Sequence, residues 1–333
     1  MLSLGLTSCT AQPKENGAAD ATGALTLSRE VVVFGAGGDL SDDTRSVQVT
    51  NTGTGTLKVS ATLTGEDAAQ FTLQAASFNL GAGQMRELAV TFTPVAGDLG
   101  PQHATLNLSG GNSPVAASLG GLHVEGQNGL LEPSLQWIFE TYGFPLQTGD
   151  GDPTTSPLVD EPANYPLGDE VAAQTFVRAD PTQPVTVQVL AAFAVPDVAP
   201  VFEFGYYGAN NAKSLQQLLG LPIIPALNGQ QLEPVITPVA TEVLAGVVSF
   251  IPAAEPFGFY SVWPTTRFFE TRTVYTEDAR NTFDTSPHHV RAYPLPLQNG
   301  ETVYVLATDE SNRLNDFNDA VLLVRNVRPV ASE

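Results

Sequence analysis

Breaker residues decide what this chain can fold into. Gly (30) and Pro (25) together make about one residue in six of the 333, so few stretches could propagate a long helix. Between the breakers, short runs alternate apolar and polar residues. Thr44–Thr50, Leu57–Leu63, Arg86–Phe92 and His103–Leu108 are the clearest, separated by Asn51–Gly55, Gly81–Gly83 and Gly110–Asn112. Period-two alternation buries one face and wets the other, the pattern of an antiparallel sandwich. It predicts one such module over 24–127. Glu30–Phe34 (EVVVF) does not alternate and predicts a strand covered on both faces.

The remainder, 128–330, has nine strand-like runs and no βαβ rhythm. They are Gln174–Val177, Val185–Phe193, Val201–Tyr207, Val247–Ile251, Phe257–Trp263, Phe268–Tyr275, His288–Pro294, Thr302–Thr308 and Ala320–Val327. This predicts a second, larger sandwich of jelly-roll-like form. Ser214–Leu219 reads as a short helical turn, and Asn210–Pro256 as a Pro- and Gly-rich excursion. Between the modules, a helix is expected over 131–143. Leu135, Ile138, Phe139 and Tyr142 share one face, Pro133 suits its first turn and Gly143 its C-terminus. The predicted class is all-β: two sandwiches joined by one short helix.

Charge narrows the partners. Lys and Arg total 14 against 35 Asp and Glu, a net charge of −21. That argues against sequence-independent nucleic-acid binding and against adhesion to anionic lipid through a basic patch. Residues 1–127 carry −6, 128–203 carry −10 and 204–333 carry −5. A single Cys excludes a disulfide scaffold. No run of 18 apolar residues occurs, so no membrane-spanning helix is expected.

Leu6-Thr7-Ser8-Cys9 resembles a bacterial lipobox, which implies lipidation of Cys9 and then a tether to residue 23. No Lys or Arg precedes Cys9, and eight residues are too few for a signal segment. A lipid anchor therefore implies a start further upstream; the alternative is a chance Cys in a frayed terminus. Within 24–127, Phe34-Gly35, Val47–Leu57 (VQVTNTGTGTL), Gly65–Phe71 (GEDAAQF), Leu80–Gly83 (LGAG) and Val90–Pro94 (VTFTP) follow one another as in the ASH type of immunoglobulin-like domain, related to the major-sperm-protein fold. The resemblance implies a seven-stranded sandwich serving as spacer or interaction module, with no catalytic residues to carry over. Glu132–Gly143, Gly168–Val171, the Phe-Gly-x-Tyr strands at 204–207 and 257–260, Tyr275–Phe283, His288–Leu295 and the acidic stretch from Asp309 resemble the DUF4114 type of domain. This implies a sandwich found in extracellular, often anchored, proteins, and brings no agreed activity.

Chemistry concentrates in 309–319, DESNRLNDFND. Asp309, Glu310, Asn315, Asp316, Asn318 and Asp319 offer the oxygen donors that Ca²⁺ takes at six to eight positions. The other reading is a structural turn, in which Asn and Asp bond their own backbone. Arg313 and Arg325 are then the expected counter-charges. Asp150, Asp152 and Glu161 occupy positions 1, 3 and 12 of an EF-hand-like loop, but Thr155 stands where Gly is needed and Pro157 interrupts. Asp150 or Asp152 remains a candidate for some other hard-cation site. Thr276-Glu277-Asp278 is a second acidic turn. His288 and His289, adjacent on a strand, point to opposite faces, so one is expected buried and the other exposed. His103 and His123 read as plain surface or packing residues.

There is no nucleophile elbow, zincin helix, P-loop or dinucleotide fingerprint. The leading expectation is a non-catalytic bacterial cell-surface or secreted protein. Its Ig-like spacer would present the second sandwich for adhesion or assembly, with Ca²⁺ as stabilising ion. Expected partners are an extracellular polysaccharide or surface protein; self-association is left open. The alternative is a lectin-like module, supported by the dense aromatics Tyr206, Tyr207, Phe259, Tyr260, Trp263, Phe268, Phe269 and Tyr275. A glycan hydrolase with its site at the junction is the third reading.

Overall fold

The structure is a computed structural model. It describes residues 23–37, 42–125, 132–149, 165–193, 201–209, 211–222, 230–239, 243–244, 246–264, 270–283, 286–310 and 316–330. The first sandwich contains β1 (Leu25–Leu27), β2 (Val31–Gly37), β3 (Asp43–Asn51), β4 (Leu57–Thr64), β5 (Phe71–Leu73), β6 (Ser77–Leu80), β7 (Met85–Phe92), β8 (Gly100–Ser109) and β9 (Val115–Val124). They form sheets of order β1-β3-β7-β5 and β2-β9-β8-β4-β6. Two three-residue strands, β1 and β5, bring the seven expected strands to nine. Strand pairs here are antiparallel except β2 with β9, which run parallel. Phe34, Phe71 and Phe92 fill the space between the sheets with ring centroids 5.0–6.3 Å apart.

The second sandwich follows the helix α1 (Leu135–Thr141). Its strands are β10 (Phe176–Arg178), β11 (Val185–Phe193), β12 (Phe202–Gly208), β13 (Asn211–Leu221), β14 (Gln230–Leu232), β15 (Thr237–Pro238), β16 (Val243–Leu244), β17 (Val247–Phe250), β18 (Phe257–Trp263), β19 (Arg272–Tyr275), β20 (Val290–Pro296), β21 (Thr302–Thr308), β22 (Ala320–Arg325) and β23 (Val327–Pro329). One sheet has the order β15-β13-β12-β18-β10-β23, with β19 also on β18. The other has β16-β17-β11-β22-β21-β20, with β14 also on β11.

Three expectations are corrected here. Ser214–Leu219 is strand, not a helical turn. A six-residue helix is marginal alone, whereas pairing with β12 satisfies the backbone and buries Leu218, Leu219 and Leu221. The stretch 210–256 is no excursion, because its described parts, β13 to β17, join both sheets. The aromatic run is core: Tyr206, Tyr207, Phe259, Tyr260 and Trp263 are all buried, so their rings are closed to sugar stacking. Tyr275 packs edge-on to Tyr207 at 5.3 Å; Phe268 and Phe269 lie outside the described residues.

The two sandwiches share an apolar core. In β2, Val32 and Phe34 face the first interior while Val33 joins the junction, which is why that run does not alternate. Leu122 and Val124 of β9 lie on the same outer face as Val33. Leu135, Ile138, Phe139 and Tyr142 of the α1 segment belong to the same cluster, together with the outer face of the β11-β22-β21-β20 sheet. The helix begins later than expected, at Leu135, because Ser134 caps it by accepting from Trp137 N–H. It ends at Gly143, whose φ of 70° permits the two closing bonds Gly143 N–H to Glu140 O and Phe144 N–H to Phe139 O. Tyr142 O–H donates to Leu190 O at 2.6 Å, and Arg29 pairs with Glu233 at 2.8 Å across the junction.

Close approach at the junction needs glycine. A Cβ on Gly120 would lie 1.9 Å from Thr141 O, and one on Gly121 would meet the Phe92 ring at 2.4 Å. Gly120 therefore lets α1 sit against β9, while Gly121, on the opposite face, makes room for Phe92 inside. Gly120→Val is expected to cost about 1–3 kcal/mol through overpacking. Gly35→Ala, whose Cβ meets nothing within 4 Å, should stay within about 0.5 kcal/mol. Urea denaturation of the two variants checks the contrast.

Candidate functional site

The β21–β22 hairpin assembles the acidic cluster. Its register sets Thr308 opposite Ala320, so Asp309 and Asp319 follow as the next facing positions. Thr308 Oγ1 donates to Ala320 O at 3.1 Å, and Asp309 N–H donates to His289 O at 3.0 Å. Glu310 N–H donates to Asp319 Oδ2 at 2.6 Å. One carboxylate oxygen each from Asp309, Glu310 and Asp319 lies within 4.8 Å of the others, and all three residues are buried. Burial, then Glu310, Asp309 and Asp316, push the Asp319 carboxyl well above the ordinary carboxylate range. Asp316 is buried nearby but is not one of the three. Asn318 is directed elsewhere through its amide, which donates to Pro133 O at 2.8 Å and ties the turn to the approach of α1. Asn315, Asp150, Asp152 and Cys9 lie outside the described residues.

Two arginines that sequence reasoning did not single out flank the cluster. Arg272 of β19 donates from Nη1 to Glu310 O at 3.2 Å and holds Glu270 through Nε and Nη2 at 2.9 and 2.7 Å. Arg291 of β20 is fully buried, with its guanidinium 4.1 Å from the Phe317 ring centroid and 5.3 Å from that of Tyr165. The counter-charge expected at Arg325 is elsewhere: its guanidinium stands 3.7 Å from Glu301. Arg313 is outside the described residues. The available signal was parity. Arg291 shares a strand face with Tyr293 and Leu295, an apolar stripe in which a charge needs a partner.

The histidines also depart from expectation, since both are held. His289 is buried, with Nδ1 3.1 Å from Asp309 O and its ring 4.6 Å from Phe283. His288 bonds two carboxylates, Glu170 Oε1 at 2.8 Å through Nε2 and Asp278 at 3.2 Å through Nδ1. The turn at Thr276–Asp278 thus serves His288; it is not part of the group of three carboxylates.

Chemically, the cluster is an oxygen-only donor set suited to a hard cation, or a set of acids sharing protons among themselves. The fold around it defines a class: an all-β protein of two sandwiches, Ig-like in architecture. No protein-family model matches the chain, and no curated protein does. Among solved structures, the chain is similar to the ASH/PapD-like domain 7 of human CEP192, at 14% identity over 36% of this chain and 97% of that one, TM-score 0.25. It is also similar to the YadV chaperone, at 8% identity over 75% and 98%, TM-score 0.27. The periplasmic chaperone SfaE gives 11% identity over 76% and 98%, also with TM-score 0.27. Scores this low assign neither family nor function. Among the described residues, no helix is long and apolar enough to cross a membrane.

The Asp319 shift has a signed consequence. A carboxyl raised in the folded state lowers stability as pH climbs from its ordinary value of 3.8 through the folded value. Asp319→Asn keeps an acceptor for Glu310 N–H and does not ionise. In EGTA at neutral pH it is expected to melt higher than the parent, by the few degrees that about 1 kcal/mol brings. The gap should close as the pH falls to about 4; paired thermal melts across pH check this.

Proposed function

We propose that the chain is a non-catalytic protein of the bacterial cell surface or secreted space, in which the first sandwich is a spacer that presents the second for adhesion or assembly. The observation that carries this reading is the apolar core continuous from Val33 and Leu122 through α1 to Val305 and Val321. A spacer fixed in this way holds the second sandwich at a set orientation instead of letting it swing. The ASH-like and DUF4114-like motif orders, and the lipobox-like Leu6–Cys9, support an envelope setting. An extracellular polysaccharide or a surface protein is the partner class.

Ca²⁺ belongs to this proposal as a stabilising ion. Asp309, Glu310 and Asp319 would hold it, and their chemistry fits a hard cation. A bound ion would join the two ends of the β21–β22 hairpin.

Two measurements test the reading. Spin labels at Lys58 and Thr182, in a Cys9→Ser background, are expected to give a single narrow distance distribution. A broad one removes the fixed spacer, and turnover of any polysaccharide offered to the full chain removes the non-catalytic assignment. For the ion, melting is followed in EGTA and in millimolar CaCl₂. Saturation about a hundredfold above Kd is worth about 2.7 kcal/mol, so the curves should separate by a few degrees. Superimposable curves end the calcium proposal and leave the spacer untouched.

A further inference from the structure

His288 is a histidine with an acid on each nitrogen. Glu170 and Asp278 come from different parts of the chain, one ahead of β10 and the other in the 3-10 turn Asp278–Arg280 after β19. Ionised carboxylates only accept hydrogen bonds. A neutral imidazole has one N–H, and only the imidazolium has two. Both bonds at once therefore require the charged ring.

The surroundings are built for that charge. The Glu170 side chain is 1% exposed, and its second oxygen accepts from Leu167 N–H at 3.0 Å. Asp278 also accepts from Gln174 Nε2 at 2.8 Å. The imidazole lies flat on Tyr165, with centroids 3.8 Å apart, and Phe317 closes another side at 6.1 Å. The charged groups nearby are Arg291, 4.0 Å from Glu170 Oε2, and the Glu277–Arg280 pair beside Asp278. Burial raises the Tyr165 hydroxyl above its ordinary range, and Asp309 adds to this in the same direction.

We propose that His288 is a protonation-dependent clasp: its imidazolium, held between Glu170 and Asp278, closes the segment 165–173 onto the second sandwich. Losing the proton turns one nitrogen from donor to lone pair, facing a carboxylate. One bond is lost and repulsion replaces it. The segment that Glu170 anchors, with Tyr165 stacked on the ring, then loses its tie. Opening uncovers Arg291 and Phe317, on which Tyr165 sits. The clasp uses none of the three carboxylates assigned to the cation, so the two ideas stand or fall separately.

The direction in pH follows. Burial works against the charged ring, but the bonds to Asp278 and Glu170 outweigh it and hold His288 above its ordinary 6.5. The clasp is thus fully closed below 6.5 and is lost as pH rises through the folded value. Generic relief of repulsion in an acidic chain has the same sign, so the test must be specific to this residue.

The experiment uses the full chain in EGTA. The chain has four histidines, so ring proton–carbon NMR resolves them, and His288→Asn identifies the signal. The His288 signal is expected to titrate above 6.5, and to move down in Glu170→Gln and in Asp278→Asn. Hydrogen exchange across 165–173, corrected for intrinsic rates, reads the clasp itself. Protection should fall between about pH 6 and pH 9 by roughly tenfold for each unit that the His288 value exceeds 6.5. In His288→Asn only the generic dependence of the acidic chain should remain. A His288 signal titrating at or below 6.5, or wild-type protection flat across that range, overturns the proposal. Should His288→Asn fail to fold, the wild-type titration and the Glu170→Gln shift still decide it.

Discussion

Everything distal to the first sandwich hangs on one apolar junction, the outer face of β2, β8 and β9 against α1 and β14. A sheet facing water on its outer side would carry polar residues there. Here Val33, Leu122 and Val124 occupy it, and exposing them would forfeit about 1.5–3 kcal/mol for each large side chain. The helix covers them with one side and the second sandwich with the other. Trp137 and Thr141 turn toward β8 and β9, where glycines at 100 and 120 admit them. Leu135, Ile138 and Phe139 turn toward the sheet that carries β21 and β22. A seven-residue helix is too short to be stable in isolation. It exists because both its faces are buried, and the modules hold their relation because it exists.

That junction also reaches the acidic site. Asn318 bonds Pro133 O just before the helix cap, so the turn bearing Asp319 is fastened to the same element that joins the sandwiches. Phe317 has a φ of 52°, a strained value for an aromatic residue. The surrounding Arg291, Tyr165 and His288 rings hold it there. The end of the second sandwich nearest the helix is thus an interlocked set of charges and rings.

The sequence disclosed what period-two alternation and turn chemistry control. Val185–Phe193, Phe257–Trp263 and Thr302–Thr308 have the predicted bounds, and the EVVVF run gave away its two covered faces. It hid what depends on pairing. Ser214–Leu219 has no alternation to mark it as strand; β12 and the core make it one. The aromatic run suggested a sugar platform because sequence alone cannot tell a ring pointing at solvent from one pointing at the other sheet. The histidines were misjudged for a related reason. His288 and His289 lie just ahead of β20, which begins at Val290, and the chain there is covered on both sides, by Tyr165 over His288 and Phe283 over His289. The acidic cluster was legible as a group, yet its membership was set by hairpin register, which singles out Asp309, Glu310 and Asp319 and directs Asn318 away.

The arginines show how an acidic chain tolerates buried acids at all. With 14 bases against 35 acids, charge balance cannot be general and must be local. Arg272 and Arg291 sit on strands, with their guanidinium groups over Phe283 and Phe317, because a guanidinium can lie against a ring while its N–H groups reach oxygen. His288 adds a third positive centre between Glu170 and Asp278. Each of these cations has a fixed geometry and can serve only oxygens within its reach. Asp319, whose carboxyl is driven toward its protonated form by its neighbours, is where that supply falls short. A proton relieves the shortfall at low pH; at higher pH the Ca²⁺ proposed above would relieve it without moving the hairpin. The same cluster that looks like a surplus of charge in the sequence is, in the fold, a deficit of cations at one place.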